Sequence, residues 1–202
     1  DSLGIQKYLK AKYNKESTFI AYGAHAFLNP NEDIIASYNV EKNQYSMIMA
    51  RFEPENNLDM VLQGVVLSED KTTILVVGNH NTKYGEYLKN KFKTFSNIRF
   101  IGGIYNLEHL DNLRFYSNLY FHGHSVGGTN PSLLEAMSSK ALVIAHNNDF
   151  NKGVLKENSY YFSDAAEVKN IIKAKKKSDN LPMIEANFNT IKNEYNREKI
   201  NG

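Results

Sequence analysis

The chain has 202 residues, enough for one well-buried core, and its 42% hydrophobic and 12% aromatic content is that of a globular protein. Its 24 basic and 22 acidic side chains leave a net charge of +2, which argues against nucleic acid or a membrane surface as a partner recognised by charge alone. The lack of cysteine removes disulfide scaffolds, thiol nucleophiles and thiolate metal sites. No apolar run approaches the roughly 20 residues of a membrane helix and no signal-peptide pattern opens the chain. Because it begins with Asp1 rather than Met, the chain reads as a fragment.

In chain order, residues 4–14 place Ile5, Tyr8, Leu9 and Tyr13 at spacings of three and four, which predicts a helix. Residues 17–22 (STFIAY) read as a strand closed by Gly23, with no local partner strand. From 25 to 43 the pattern weakens; Asn29-Pro30-Asn31 is a turn signal, Ile34-Ile35 opens a short helix, and the stretch reads as a linker. Strands and helices then alternate, as βαβ units require: strand 45–51, helix 56–67, strand 73–78, helix 84–92, strand 98–102, helix 106–116 and strand 118–122. A helix starting at Pro131, a strand over 141–145, a short helix over 150–155, a strand over 159–162 and a helix over 164–173 continue the series. Six strands with intervening helices predict an α/β, Rossmann-like parallel sheet with helices on both faces. The Lys173 to Lys177 run reads as a solvated helix end, and residues 181–200 as an amphipathic helix carrying Ile184, Phe188, Ile191 and Tyr195.

In an open parallel sheet, ligands gather at the carboxyl ends of strands, near a switch in strand order. Attention therefore falls on Arg51, Gly78, Gly102-Gly103, His122-Gly123-His124 and the loop to Pro131. Gly127-Gly128 frees the backbone, Thr129-Asn130 offers caps, and the first N–H groups of the helix at Pro131 point into that loop, which outlines an anion site. Arg51 either clamps a phosphate or is a surface arginine paired with Glu53 or Glu55. Glu135 either closes a capping box with Ser132 or, with the helix starting at Pro131, stands beyond the capping position with a carboxylate free for sugar hydroxyls. His122 and His124 share one side of an extended segment, but a metal needs a third ligand and none is adjacent, so no metal is expected. A hydrogen-bonding role for the pair competes with that of a buried, satisfied histidine. Dinucleotide, P-loop, zincin and hydrolase signatures are missing from the sequence.

Residues 123–145, with ARFEPENN at 50–57 and the VVG strand end at Gly78, resemble the donor-binding domain of GT-B glycosyltransferases of the group 1 retaining type, and within it the bacterial rhamnosyltransferase-like branch. The resemblance implies the C-terminal half of a GT-B fold: 1–24 as the tail of an N-terminal acceptor domain, 25–44 as linker, 45–178 as the nucleotide-sugar-binding domain and 179–202 as a helix crossing back. Arg51 then matches the arginine that holds the donor diphosphate, the one residue assigned to catalysis, and Glu135 the glutamate that binds the nucleotide ribose. Gly127 falls where the family's first glutamate sits, and Asn56 where a lysine assists the arginine. Gly127, Gly128 and Thr129 are left to offer backbone donors, with Asn130, Gly78, His124 and Tyr105 as further donor contacts, Tyr105 near the base. The implied partners are a nucleotide-diphosphate sugar, which is substrate rather than cofactor, a saccharide or lipid-linked acceptor, and the missing N-terminal domain. A cytoplasmic enzyme of surface polysaccharide synthesis, peripheral to the inner membrane when full length, is the setting such a resemblance implies. A non-catalytic nucleotide- or phosphate-binding module is the alternative, and a purely structural domain a third.

Overall fold

The computed structural model describes residues 3–16 and 22–197. Helix α1 (Leu3–Tyr13) lies where the spacing predicts it, and the strand expected over 17–22 falls almost wholly outside the described residues. Helix α2 (Asp33–Ala36) is followed by β1 (Tyr45–Met49), α3 (Leu58–Ser68), β2 (Thr73–Val77), α4 (Lys83–Phe92) and β3 (Ile98–Gly102). The second half holds α5 (Leu107–Tyr116), β4 (Leu119–His122), α6 (Pro131–Ser138), β5 (Val143–His146), α7 (Asp149–Leu155), β6 (Tyr160–Phe162), α8 (Ala165–Ala174) and α9 (Leu181–Glu194).

The strands form one sheet in the order β3-β2-β1-β4-β5-β6, and every pairing is parallel. The first three strands step outward and the chain then returns to lay β4 on the other side of β1, so the order switches between β1 and β4. Alternation along the strands divides the core. Met47, Leu75, Val77, Tyr120, Val143 and Ala145 face α5 and α6, while Ile48, Ile74, Val76, Phe121 and Ile144 face α3, α4 and α8. Both faces are covered, which is why these strands read as nearly unbroken apolar runs.

Several expected boundaries move. The helix expected from Asn56 begins at Leu58, because Pro54–Asn56 forms a 3-10 turn and Asn57 is left-handed at φ 52°, a conformation asparagine tolerates better than most residues. The strand expected from Ala141 begins at Val143: Lys140 turns at φ 50° and the Ala141 amide still donates to the Ala136 carbonyl of the helix. Helix α9 ends at Glu194 rather than running to 200, and residues 198–202 are not described.

Residues 25–44, read as a linker with a short helix at Ile34-Ile35, hold that helix as α2 and pack on the domain: Ile35 is buried, the Asn31 amide donates to Asn112 Oδ1 at 2.7 Å, and Arg99 donates to the carbonyls of Tyr38 and Asn39. The lysine run is not wholly solvated, since Lys177 is buried, donates through Nζ to the Phe115 carbonyl and lies over the Phe115 ring. Helix α9 packs on α6, and beyond it Asn196 forms a parallel bridge with Ala24, so the two ends of the domain meet.

Candidate functional site

At the switch point a cleft of about 780 Å³ opens above the carboxyl ends of β1, β2 and β4, within the range of small-ligand sites. All ten sequence-expected residues line it: Arg51, Asn56, Gly78, Tyr105, His124, Gly127, Gly128, Thr129, Asn130 and Glu135. Arg51 and the glycine loop therefore face one space, from neighbouring strands.

The floor is built by two loops tied together. After β1, the Pro54–Asn56 turn carries Asn56, which is buried and donates through Nδ2 to the Arg51 carbonyl at 2.9 Å. Its amide thus holds the arginine's backbone. Asn57 Nδ2 donates to the Gly123 carbonyl at 2.8 Å, and Ser125 donates to the Glu55 carbonyl through both its amide, at 3.1 Å, and its hydroxyl, at 2.7 Å. The loops approach so closely that a Cβ on Gly123 would lie 2.1 Å from the Asn56 carbonyl oxygen. Arg51 itself is exposed, and among the described residues its side chain makes no ion pair with Glu53 or Glu55.

The rim is built by the β4–α6 loop. Gly127 has φ 122° and open space around it, a conformation that a side chain would strain. Asn130 is the cap of α6: its side-chain oxygen accepts from the Ser132 amide at 3.0 Å and from the Ser132 hydroxyl at 2.9 Å, with Pro131 at the first helical turn. This disposes of the Ser132–Glu135 capping box. Glu135 lies beyond the cap and reaches the cleft, yet its carboxylate is not free, because Oε2 accepts from Nη2 of Arg114 at 2.6 Å. Tyr105, 92% exposed, stands at the mouth.

The two histidines stack, with ring centroids 4.4 Å apart. His122 is fully buried, and no described side chain or backbone group hydrogen-bonds either of its ring nitrogens. Burial, with His124 and Arg114 nearby, drives the His122 pKa well down; burial and the Arg51 guanidinium push that of His124 down to about 4. Both rings are therefore neutral at physiological pH. Among the described residues no cluster of three His, Asp or Glu side chains is arranged to hold a metal.

Arg114 escaped the sequence reading. It is fully buried in α5, donates from Nη1 to Asp111 Oδ1 at 3.0 Å and touches Met49 Sδ at 3.3 Å through Nη2. Burial opposes its charge, but Tyr120, Glu135 and Asp111 outweigh that and raise its pKa. The available signal was an arginine between Leu113 and Phe115 with an aspartate three residues earlier.

Fold and cleft together define the class: a doubly wound parallel α/β domain whose polar cleft sits at the switch in strand order. Residues 30–195 match the family model of glycosyl transferases group 1, and the chain belongs to that family. Similar solved structures include a glycosyltransferase from Rickettsia africae ESF-5 (16% identity, TM-score 0.81, covering 98% of this chain and 59% of that one). Sucrose-phosphate synthase from Thermosynechococcus elongatus is also similar (16%, 0.78, 98% and 54%), as is HepE from Anabaena in complex with UDP and glucose (13%, 0.71, 84% and 49%). At these identities the likeness is one of fold, and the chain spans half to three-fifths of each structure. No curated protein matches the chain.

Proposed function

We propose that this chain is the donor-binding unit of a glycosyltransferase, holding a nucleotide-diphosphate sugar for transfer to a hydroxyl acceptor. The observation that carries the reading is that Arg51 and the Gly127-Gly128 loop line one cleft at the switch point, with the capped start of α6 behind them. As the bond from the anomeric carbon to the diphosphate oxygen breaks, negative charge gathers on the leaving diphosphate. A guanidinium and backbone N–H groups already aimed at that charge lower the barrier without a protein nucleophile. The acceptor oxygen takes the anomeric carbon, and its proton passes to a base outside this chain. Family membership and neighbours solved with UDP and glucose support the reading; retention of configuration, hexosyl or rhamnosyl transfer, a bacterial polysaccharide or lipid-linked acceptor and a cytoplasmic setting are its finer parts. Among the described residues, no helix is long and apolar enough to cross a membrane.

Titration of the chain with UDP, dTDP and GDP by calorimetry is the test. Weak binding that Arg51→Ala weakens about 10- to 100-fold, with no sugar transfer by these 202 residues alone, is expected. A chain that binds none of the three, or is indifferent to Arg51→Ala, overturns the proposal. Gly127, with no side chain to touch a sugar, favours a second reading as a non-catalytic nucleotide-binding module. Binding without transfer by the full-length protein given sugar donors would select it.

A further inference from the structure

Glu135 stands at the cleft with its side chain 36% exposed, while the guanidinium behind it is wholly shut off from solvent. Arg114 presents Nη2 to Glu135 Oε2 at 2.6 Å and Nη1 to Asp111 Oδ1 at 3.0 Å, so its planar fork is pinned at two points and cannot swing. Ser139 closes the ring: its hydroxyl bonds Asp111 Oδ1 at 2.9 Å and the Glu135 carbonyl at 2.7 Å. Glu135 Oε1 accepts no hydrogen bond from a described side chain or backbone amide.

A buried ion pair is weak evidence for stability, because desolvation offsets much of the attraction. What distinguishes this one is its asymmetry. One carboxylate, Asp111, is enclosed with the cation; the other has one oxygen fixed and the second without a partner among the described residues, on a part-exposed side chain that lines the cleft. A glutamate free to rotate would lose side-chain entropy on accepting a hydroxyl, and one already held does not.

We propose that Arg114 is the positioning residue for Glu135, fixing the carboxylate so that its remaining oxygen accepts a ribose hydroxyl of the bound nucleotide. This rests on the nucleotide reading above and on the ribose contact that the family resemblance implies for Glu135; what it adds is that Arg114 sets the geometry of that contact. Arg114 acts through Glu135 and touches no ligand itself.

The test measures UDP and GDP on the purified chain by calorimetry, each against its 2′,3′-dideoxy counterpart, and dTDP, which already lacks the 2′-hydroxyl, against its 3′-deoxy form, with inorganic pyrophosphate as a probe of the phosphate end. Wild type should prefer the hydroxylated nucleotide about tenfold, as a hydrogen bond to a charged acceptor predicts. Glu135→Ala should bring the ratio close to one. Arg114→Lys, which keeps the charge and loses the fork, and Arg114→Met should do the same while pyrophosphate affinity holds, and adding either to Glu135→Ala should change the ratio no further. Should Arg114→Met fail to fold, Arg114→Lys carries the test alone. A variant that keeps the wild-type ratio overturns the inference, as does a wild type that binds a nucleotide but ignores its hydroxyls; the nucleotide reading survives both. Failure of all three nucleotides to bind overturns both together.

Discussion

Replacing Gly123 by alanine tests whether the floor of the cleft is as tightly closed as its geometry requires. The new methyl carbon would sit 2.1 Å from the Asn56 carbonyl oxygen. Ordinary contact lies beyond 3.4 Å, so the Pro54–Asn56 turn or the β4 end must retreat by more than about 1 Å. Such a retreat strips the two Ser125 bonds to the Glu55 carbonyl and the Asn57 bond to Gly123. Overpacking costs about 1–3 kcal/mol and each lost bond about 1 kcal/mol, partly recovered by water, so a loss of about 3 kcal/mol is expected. In a chain of this size that lowers the melting temperature by roughly 6–12 °C. Urea unfolding at unchanged slope reads the same loss as a shift in midpoint. Gly153→Ala is the control: Gly153 lies in α7 with nothing within 4 Å of a new Cβ, and the change should stabilise by about 0.5–1 kcal/mol. A Gly123→Ala loss below about 1 kcal/mol refutes the claim that the two loops are jammed together.

Arg51→Ala should weaken nucleoside diphosphate binding about 10- to 100-fold while leaving the free energy of urea unfolding within about 0.5 kcal/mol, because the side chain is exposed and in no ion pair or hydrogen bond among the described residues. The histidine pair sets a pH dependence. The His124 pKa is depressed from 6.5 to about 4, so the unfolded chain binds the extra proton; stability is full above pH 6.5 and falls as pH drops toward 4, His122 acting in the same direction. His122→Phe with His124→Phe should flatten that window in urea unfolding measured from pH 7 to pH 4, and an unchanged slope would sink the assignment. For Lys177, burial with Lys42 nearby lowers the pKa from 10.5 to about 7, so its stability contribution is present above pH 10.5 and lost as pH falls through 7. Lys177→Met should therefore compare more favourably with wild type at pH 7 than at pH 10, and equal effects at both would refute a buried, charge-averse lysine.

Most of the fold could be read from the sequence because backbone periodicity carries it: an uninterrupted run such as Thr73–Val77 has few uses other than a strand covered on both faces. The helix starting at Pro131 was readable because a proline at the first turn leaves Asn130 as the cap, and the competing Ser132 signal loses once that proline is placed. Asn57 was misread because a left-handed asparagine before a helix leaves no apolar periodicity to mark it. The residues lining the cleft were readable at the strand ends and in the loop and first helical turns that follow them, where glycine, cap and proline signals mark the chain. Arg114 is the opposite case. An arginine inside a helix normally faces water, and nothing local reports that its partner Glu135 lies 21 positions on, across a loop whose path only the fold determines. Lys177 went unread for the same reason, its acceptor being the carbonyl of Phe115, 62 positions away.

The cleft's position follows from register before any side chain is considered. Ile48 pairs with Phe121 across adjacent parallel strands, so the chain leaves β1 toward Arg51 and β4 toward His124 at the same level. The same adjacency brings the Arg51 guanidinium near enough to His124 to add to the lowering of its pKa by burial. Because the loops leave neighbouring strands and then diverge, to α3 on one face and α6 on the other, a gap must open between them. The chain closes the lower part of that gap with the Gly123 contact and the Ser125 and Asn57 bonds, and leaves the upper part open at Gly127. Losing Gly123 should therefore damage stability first, whereas a side chain at position 127 should damage binding first.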